Sequence, residues 1–313
     1  MLELCLLGTG GMLPLPYRYL TSLYCQSEGK GLLIDCGEAT QIALKKAGYS
    51  PNPIDYILIT HFHADHISGL VGLLLSIGNS DRVDPVTIVG PAGLNEVVKN
   101  MRVIAPSLPF KVNIVELKQE SGEFLLAPYR IQYFTLKHRM PCIGYNILLD
   151  RLPEFIVDKA KANDVPLKYW NKLQHGEDNI KDKDTGKVYT RDMVMGESRK
   201  GLKVSYFTDT RPCDHILEWT KDCDLMIAEG MYGLIEEKMS NAKKYLHMTM
   251  REACEIAKEN KPKVLWLTHY SPSEVKPKMY EEELKKIYDG LCMVKDGEKI
   301  VLNFEDKMGQ DQS

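Results

Sequence analysis

The stretch Thr60-His61-Phe62-His63-Ala64-Asp65-His66 constrains this chain more than any other. It places three imidazoles and a carboxylate within positions 61–66. Residues 55–59, just before it, are apolar, short and rich in isoleucine, which predicts a buried strand. Residues 67–77, behind it, are apolar over a length that predicts a helix. The cluster is therefore expected at a strand-to-helix turn. On an extended backbone His61 and His63 point the same way, whereas Asp65 and His66, one turn further on, aim at a second point nearby. Neutral imidazoles with a carboxylate suit zinc, or manganese or iron with the same donors. Two ligand groups offset by a turn suit two ions.

More candidates recur at a similar address. His138 follows the apolar run 131–136, Asp209 follows 203–207, and His269 follows 263–267. Each sits, like His61, at the C-terminal end of an expected strand, where side chains from several strands can converge on one rim. A carboxylate has two oxygens, so Asp209 is the natural bridge between two ions. A hydroxide held between two cations is a nucleophile near neutral pH. His247 lies just before Thr249-Met250-Arg251-Glu252, a capping box that predicts a helix over 250–258. His175 and His215 fall on charged or polar stretches and are assigned no role.

Elsewhere strands (2–7, 21–25, 31–34, 86–89, 112–117) alternate with helices (39–47, 94–104), an α/β chain with mixed sheets. Gly8-Thr9-Gly10-Gly11 is a turn where backbone N–H groups can approach another group closely. Asp35 suits either a helix cap or a hydrogen-bond partner for a ligand histidine. Residues 151–200 carry dense mixed charge and weak periodicity, interrupted by Leu167, Tyr169 and Trp170. They are expected to form an inserted arm within a single domain spanning 1–313. The tail after Phe304 is polar and expected to fray. With a net charge of −3 the chain has no overall basic field, so any nucleic acid must be met by a local patch or by metals. Scattered cysteines without a C-x-x-C pair, no leader-like start and no apolar run near the roughly 20 residues of a membrane span predict a reduced, cytoplasmic chain with no membrane partner.

The His61 stretch matches H-x-H-x-D-H, the signature of the metallo-β-lactamase superfamily. Asp35-Cys36-Gly37-Glu38-Ala39-Thr40-Gln41, Val89-Gly90-Pro91, Gly144-Tyr145 after His138, Phe207-Thr208-Asp209-Thr210-Arg211, His247-Met248-Thr249 and Leu267-Thr268-His269 narrow this further. Together they resemble the ribonuclease Z branch, the endonucleases that trim the 3′ trailer from precursor tRNA. The resemblance implies a four-layer αββα sandwich, two zinc ions, a homodimer and an arm that grips the tRNA body. It implies that His61, His63 and His138 hold one metal and Asp65, His66 and His269 the other, with Asp209 bridging. Asp65 would also orient or deprotonate the attacking water, and Glu229 with His247 would protonate the leaving 3′ oxygen. Arg18, Ser271 and the arm lysines Lys168 and Lys172 are the expected substrate contacts. The chain departs from the family pattern at Tyr19, at Ala228 and after His269, where an arginine is missing. Those departures keep a hydrolase of small phosphodiesters or other esters as the alternative, and a non-catalytic metal-binding scaffold as a third reading.

Overall fold

The computed structural model describes residues 1–305, in which sixteen strands build the sheets. The antiparallel β1 (Leu2–Gly8), β2 (Ser22–Ser27) and β3 (Lys30–Ile34) continue in parallel through β4 (Ile54–Leu58), β5 (Val86–Pro91) and β6 (Val112–Leu117). Next come antiparallel β7 (Ser121–Leu126), β8 (Tyr129–Thr135) and β9 (Ile143–Arg151), then a short ladder of β10 (Ile180–Lys181) and β11 (Val188–Tyr189). β12 (Arg199–Phe207), β13 (Leu225–Glu229), β14 (Val264–Thr268) and β15 (Leu291–Met293) run parallel, and β16 (Glu298–Leu302) returns antiparallel to β1. One seven-stranded sheet has the order β16-β1-β2-β3-β4-β5-β6 and the other β15-β14-β13-β12-β9-β8-β7.

Along the central strands both faces of the two large sheets are buried, which explains their near-continuous apolar runs. In β1, Cys5 and Leu7 join the core formed with helices Thr40–Lys46, Leu70–Gly78 and Leu94–Met101. Leu4 and Leu6, on the opposite pleat face, are equally buried. In the second sheet Met226, Ala228, Leu265 and Leu267 pack with helix Met250–Asn260, while Ile227 and Trp266 are buried on the other face. Two tyrosines tie these inner faces together: Tyr145 Oη donates to the Ile59 carbonyl (2.8 Å) and Tyr206 Oη to Asp35 (3.4 Å). The layers are thus helices, sheet, sheet, helices, the expected αββα sandwich. No helix among the described residues is long and apolar enough to cross a membrane.

The chain divides into two compact units. Met1–Leu149 with Leu202–Asn303 holds nearly all of both large sheets, and the second unit runs from Asp150 to Gly201, joined by Phe304 and Glu305. The second unit, which contains the segment expected as an arm, has a core of its own. Ala160, Val165, Leu173, Tyr189 and Val194 are buried there, with Phe155 and Trp170 packed against them. The tail expected to fray lies, from residue 306 on, outside the described residues.

Two sequence expectations are corrected. The helix over 67–77 is instead Ala64–Ile67 and Leu70–Gly78, interrupted at Ser68-Gly69. The interruption comes from a close backbone crossing: Gly69 N donates to the Cys36 carbonyl (2.9 Å), and a Cβ on Gly69 would lie 2.1 Å from the Gly37 oxygen. The helix over 94–104 stops at Met101 and finishes as a 3-10 turn, Arg102–Ile104. Strands β7 and β16, each at the edge of its sheet, mix polar and apolar residues and were not expected, nor was the largely buried β9.

Gly69 has φ −78°, which alanine adopts freely, so only space forbids a side chain there. Gly69→Ala is expected to destabilise by about 1–3 kcal/mol, the range for overpacking, or more because the clashing atom is backbone. The fall in the midpoint of a guanidinium unfolding curve measures it.

Candidate metal centre

The strand ends position the site. Parallel register sets β12, β13 and β14 level, with Phe207 beside Ala228 and Glu229 beside Thr268. His269 directly follows β14, and Asp209 lies two residues past β12. Both take left-handed backbone, φ 56° and 55°, as does Asp35 at 59°. Such conformations cost non-glycine residues on the order of 1–3 kcal/mol and persist where surrounding packing enforces them. Here they turn the chain sharply off each strand and keep the three side chains buried. His63, in extended backbone, caps the short helix carrying Asp65 and His66.

Seven predicted side chains meet in two groups. His61 Nε2 and His138 Nε2 stand 3.0 and 3.3 Å from His63 Nδ1. Asp209 Oδ1 faces this group, 3.6 Å from His61 and 3.9 Å from His138. In the second group His66 Nε2 and His269 Nε2 are 3.1 Å apart, and Asp65 Oδ2 lies 3.2 Å from His269. Asp209 Oδ2 faces this group, at 3.0 and 3.2 Å from the two imidazoles. That oxygen is buried and close to two ring nitrogens, yet aligned for a hydrogen bond with neither. Ligand atoms that crowd together around an oxygen with no hydrogen-bond partner fit cations between them, one group on each oxygen of Asp209.

The outer nitrogens are tied down. Thr60 Oγ1 donates to Asp35 (3.0 Å) and so accepts from His61 Nδ1 (3.0 Å). His66 Nδ1 donates to Asp35 Oδ2 (2.8 Å) and His138 Nδ1 to the Leu246 carbonyl (3.2 Å). Each bond fixes a tautomer whose other nitrogen offers its lone pair to the cluster. Met12 N, from the early glycine turn, donates to Asp65 Oδ2 (2.7 Å), and a Cβ on Gly11 would touch the His269 ring at 2.6 Å. Burial lowers His61 well below its usual range and His138 to about 4, so both are neutral at pH 7. His66 has a carboxylate at each nitrogen. Burial opposes charge there, but Asp209 and Asp35 outweigh it and hold His66 well above its usual value. Without metal, a proton thus stands where a cation fits.

Glu229 and His247 adjoin this cluster. Glu229 Oε1 accepts from Thr210 N (2.5 Å) and Oε2 from His247 Nδ1 (2.9 Å). Burial alone would lower His247, but the Glu229 carboxylate, helped by Asp209 and Asp65, overrides it and raises the imidazole to about 9. His63, Asp65, Asp209, His247 and His269 open onto a cavity of about 290 Å³.

Residues 2–100 match the family model of the anti-Pycsar protein Apyc1, and residues 172–270 match the beta-lactamase superfamily domain. Human tRNase Z, short form, superposes with a TM-score of 0.69 over 96% of this chain and 100% of that one, at 23% identity. The metallo-beta-lactamase fold protein YhfI from Bacillus subtilis gives 0.68 over 96% and 98%, at 20% identity. These likenesses establish the metallo-β-lactamase fold. Ribonuclease Z of Lachnospira eligens is 51% identical and that of Agathobacter rectalis 48%, each over 98% of this chain and 100% of the relative. The chain belongs to the ribonuclease Z family.

Within this ribonuclease Z-family chain, the expected substrate contacts have other partners. Arg18 is buried, and its guanidinium donates to the carbonyls of Glu274 (2.9 Å), Ser271 and Val275 (both 3.4 Å), so it anchors the segment after His269 instead of waiting for a phosphate. Ser271 is buried too, its hydroxyl shared with Ser273 (3.0 Å). Lys168 pairs with Asp182 (2.9 Å) and Lys172 with Glu177 (3.5 Å), so both charges are locally balanced. His175 and His215 stay outside the cluster, on the Asn171 carbonyl and on Thr135. Sequence reasoning missed Arg211, which grips the Glu252 carboxylate and donates to the His247 carbonyl (2.6 Å). Its one signal was its place in the Asp209 run.

Two measurements follow. Asp35→Asn is expected to weaken divalent-metal retention by about 10- to 100-fold, as loss of a ligand's supporting carboxylate does; competition with a chromophoric chelator reads it. In metal-free protein the His247 ring should titrate near 9 and move downward in Glu229→Gln, followed by NMR of the imidazole signals.

Proposed function

We propose that this protein is a metal-dependent endoribonuclease that removes the 3′ trailer from precursor tRNA. Identity of 51% and 48% to two ribonucleases Z, over 98% of this chain, carries the proposal. The sandwich alone would not choose the substrate, because a diphosphatase of the PhnP family shares it at a TM-score of 0.64 and 18% identity. The proposed cofactor is a pair of zinc ions. His61, His63 and His138 would hold one and Asp65, His66 and His269 the other, with one Asp209 oxygen toward each. Nitrogen-rich sets of three or four donors favour zinc over magnesium or calcium. When bound, such ions acidify a water and offset charge on the scissile phosphate.

The chain's own residues do the rest. Asp65, fixed by Met12 N, orients the attacking water from one side. The Glu229 carboxylate on Nδ1 favours a proton on His247, and Nε2 is left for substrate. As the phosphorus–oxygen bond breaks, the electron pair stays on the 3′ oxygen and His247 protonates it. The products are a tRNA with a 3′ hydroxyl and a trailer with a 5′ phosphate. The reading extends to a cytoplasmic homodimer in which the Asp150–Gly201 unit grips the tRNA body, supported by membership in the ribonuclease Z family.

The test is incubation with 5′-labelled precursor tRNA. One cut after the discriminator base, lost with chelator, is expected. His247→Ala should lower kcat by roughly 10²- to 10⁴-fold, the usual range for a general acid. An intact precursor beside metal-loaded protein would make the substrate assignment wrong.

A further inference from the structure

Arg139 and Tyr245 wall the cavity, and neither belongs to the ligand set or to the acid pair. Arg139 follows His138, and Tyr245 ends the helix Glu236–Tyr245, two residues before His247. The Arg139 guanidinium lies 5.4 Å from the Tyr245 ring centroid and donates to the Lys244 carbonyl at 2.7 Å. His138 holds the Leu246 carbonyl (3.2 Å) and Arg211 the His247 carbonyl (2.6 Å). The segment 244–247 is thereby pinned by three carbonyls to the strand ends that build the site. Leu246 takes φ 60°, a left-handed turn uncommon for leucine, and Tyr245 and His247 both reach the cavity across it. Tyr245 stays 39% exposed, and Arg139 is exposed as well.

We infer that the Tyr245–Arg139 pair seats the nucleobase of the nucleotide whose 3′ oxygen leaves. This rests on the endonuclease reading, since it is His247, next along the same pinned segment, that protonates that oxygen. Bases stack on aromatic rings and on guanidinium planes whatever their identity. The guanidinium also offers a fixed positive charge to the adjoining phosphate. Near the metals this supplies what the carboxylate-paired lysines of the inserted unit do not, an exposed cation bonded only to a backbone carbonyl, in a chain of net charge −3. Because stacking tolerates any base, the seat sets where the strand is held and does not select a sequence.

The probe is a short RNA hairpin with an unpaired 3′-terminal 2-aminopurine nucleotide and a free 3′ hydroxyl, a product end that undergoes no cleavage. Its fluorescence should be quenched by the as-purified wild type and by Tyr245→Phe. With Tyr245→Ala the quenching should vanish and binding weaken about tenfold, as expected for loss of one stacked base. Arg139→Gln should weaken binding and lower the salt slope by about one. A hairpin with an abasic end should bind wild type no better than the intact hairpin binds Tyr245→Ala. Undiminished quenching by Tyr245→Ala, from a wild type that does cut precursor tRNA, overturns the seat alone. A wild type that leaves precursor tRNA uncut overturns the endonuclease reading and the seat with it.

Discussion

The Asp209 carboxylate is the constraint on which the site depends. It is buried at the rim between two sheets and presents one oxygen to each group of imidazoles. A carboxylate withdrawn from water costs several kcal/mol unless opposite charge or strong donors surround it. Asp209 meets no lysine or arginine among the described residues; it meets His61, His66, His138, His247 and His269. Most of these rings are themselves buried, so a cation shared among them satisfies what protons satisfy only in part. Asp35 repeats the device behind the ligands. It lies against His66 and, through the Thr60 hydroxyl, behind His61, so the opening motif is held between two buried carboxylates.

Bringing these groups together demands tight backbone. Asp35, Asp209 and His269 all turn through left-handed conformations, and Gly11 leaves room for the His269 ring. At the backbone crossing, Gly69 has no room for a Cβ against the Gly37 carbonyl, nor has Gly37 against the Asp65 carbonyl and Leu20. The two sheets, buried on both faces, supply the rigidity that keeps such geometry from relaxing. The helix carrying Asp65 and His66 is only four residues long because that crossing ends it. Its brevity lets the ligands sit against the second sheet's strand ends.

Charge is used sparingly around this centre. Arg18 lies near the rim but spends its hydrogen bonds on backbone carbonyls, and Arg211 spends its own on Glu252 and the His247 carbonyl. Both stiffen the segments that carry His269 and His247. The exposed ion pairs of Lys168 and Lys172 contribute little to stability and little net field. Attraction for a phosphodiester therefore has to come from the metal centre and its immediate wall.

From the chain alone the candidate metal donors were legible, because histidines and aspartates at the ends of apolar strands form a pattern that is local in sequence. The strands by themselves gave an α/β chain with mixed sheets, the family resemblance implied the sandwich, and the capping box at Thr249 formed as expected. Contacts between distant segments were not legible. Asp35 was open between cap and partner until its carboxylate was seen 2.8 Å from His66, 31 positions away. Arg18 was expected as a substrate contact because an exposed and a buried arginine look alike in sequence; its carbonyl partners lie more than 250 positions on. The break at Gly69 depends on Gly37 crossing it, which no periodicity records. Local pattern determined which residues carry the chemistry, and tertiary packing decided which of them are free to meet a substrate.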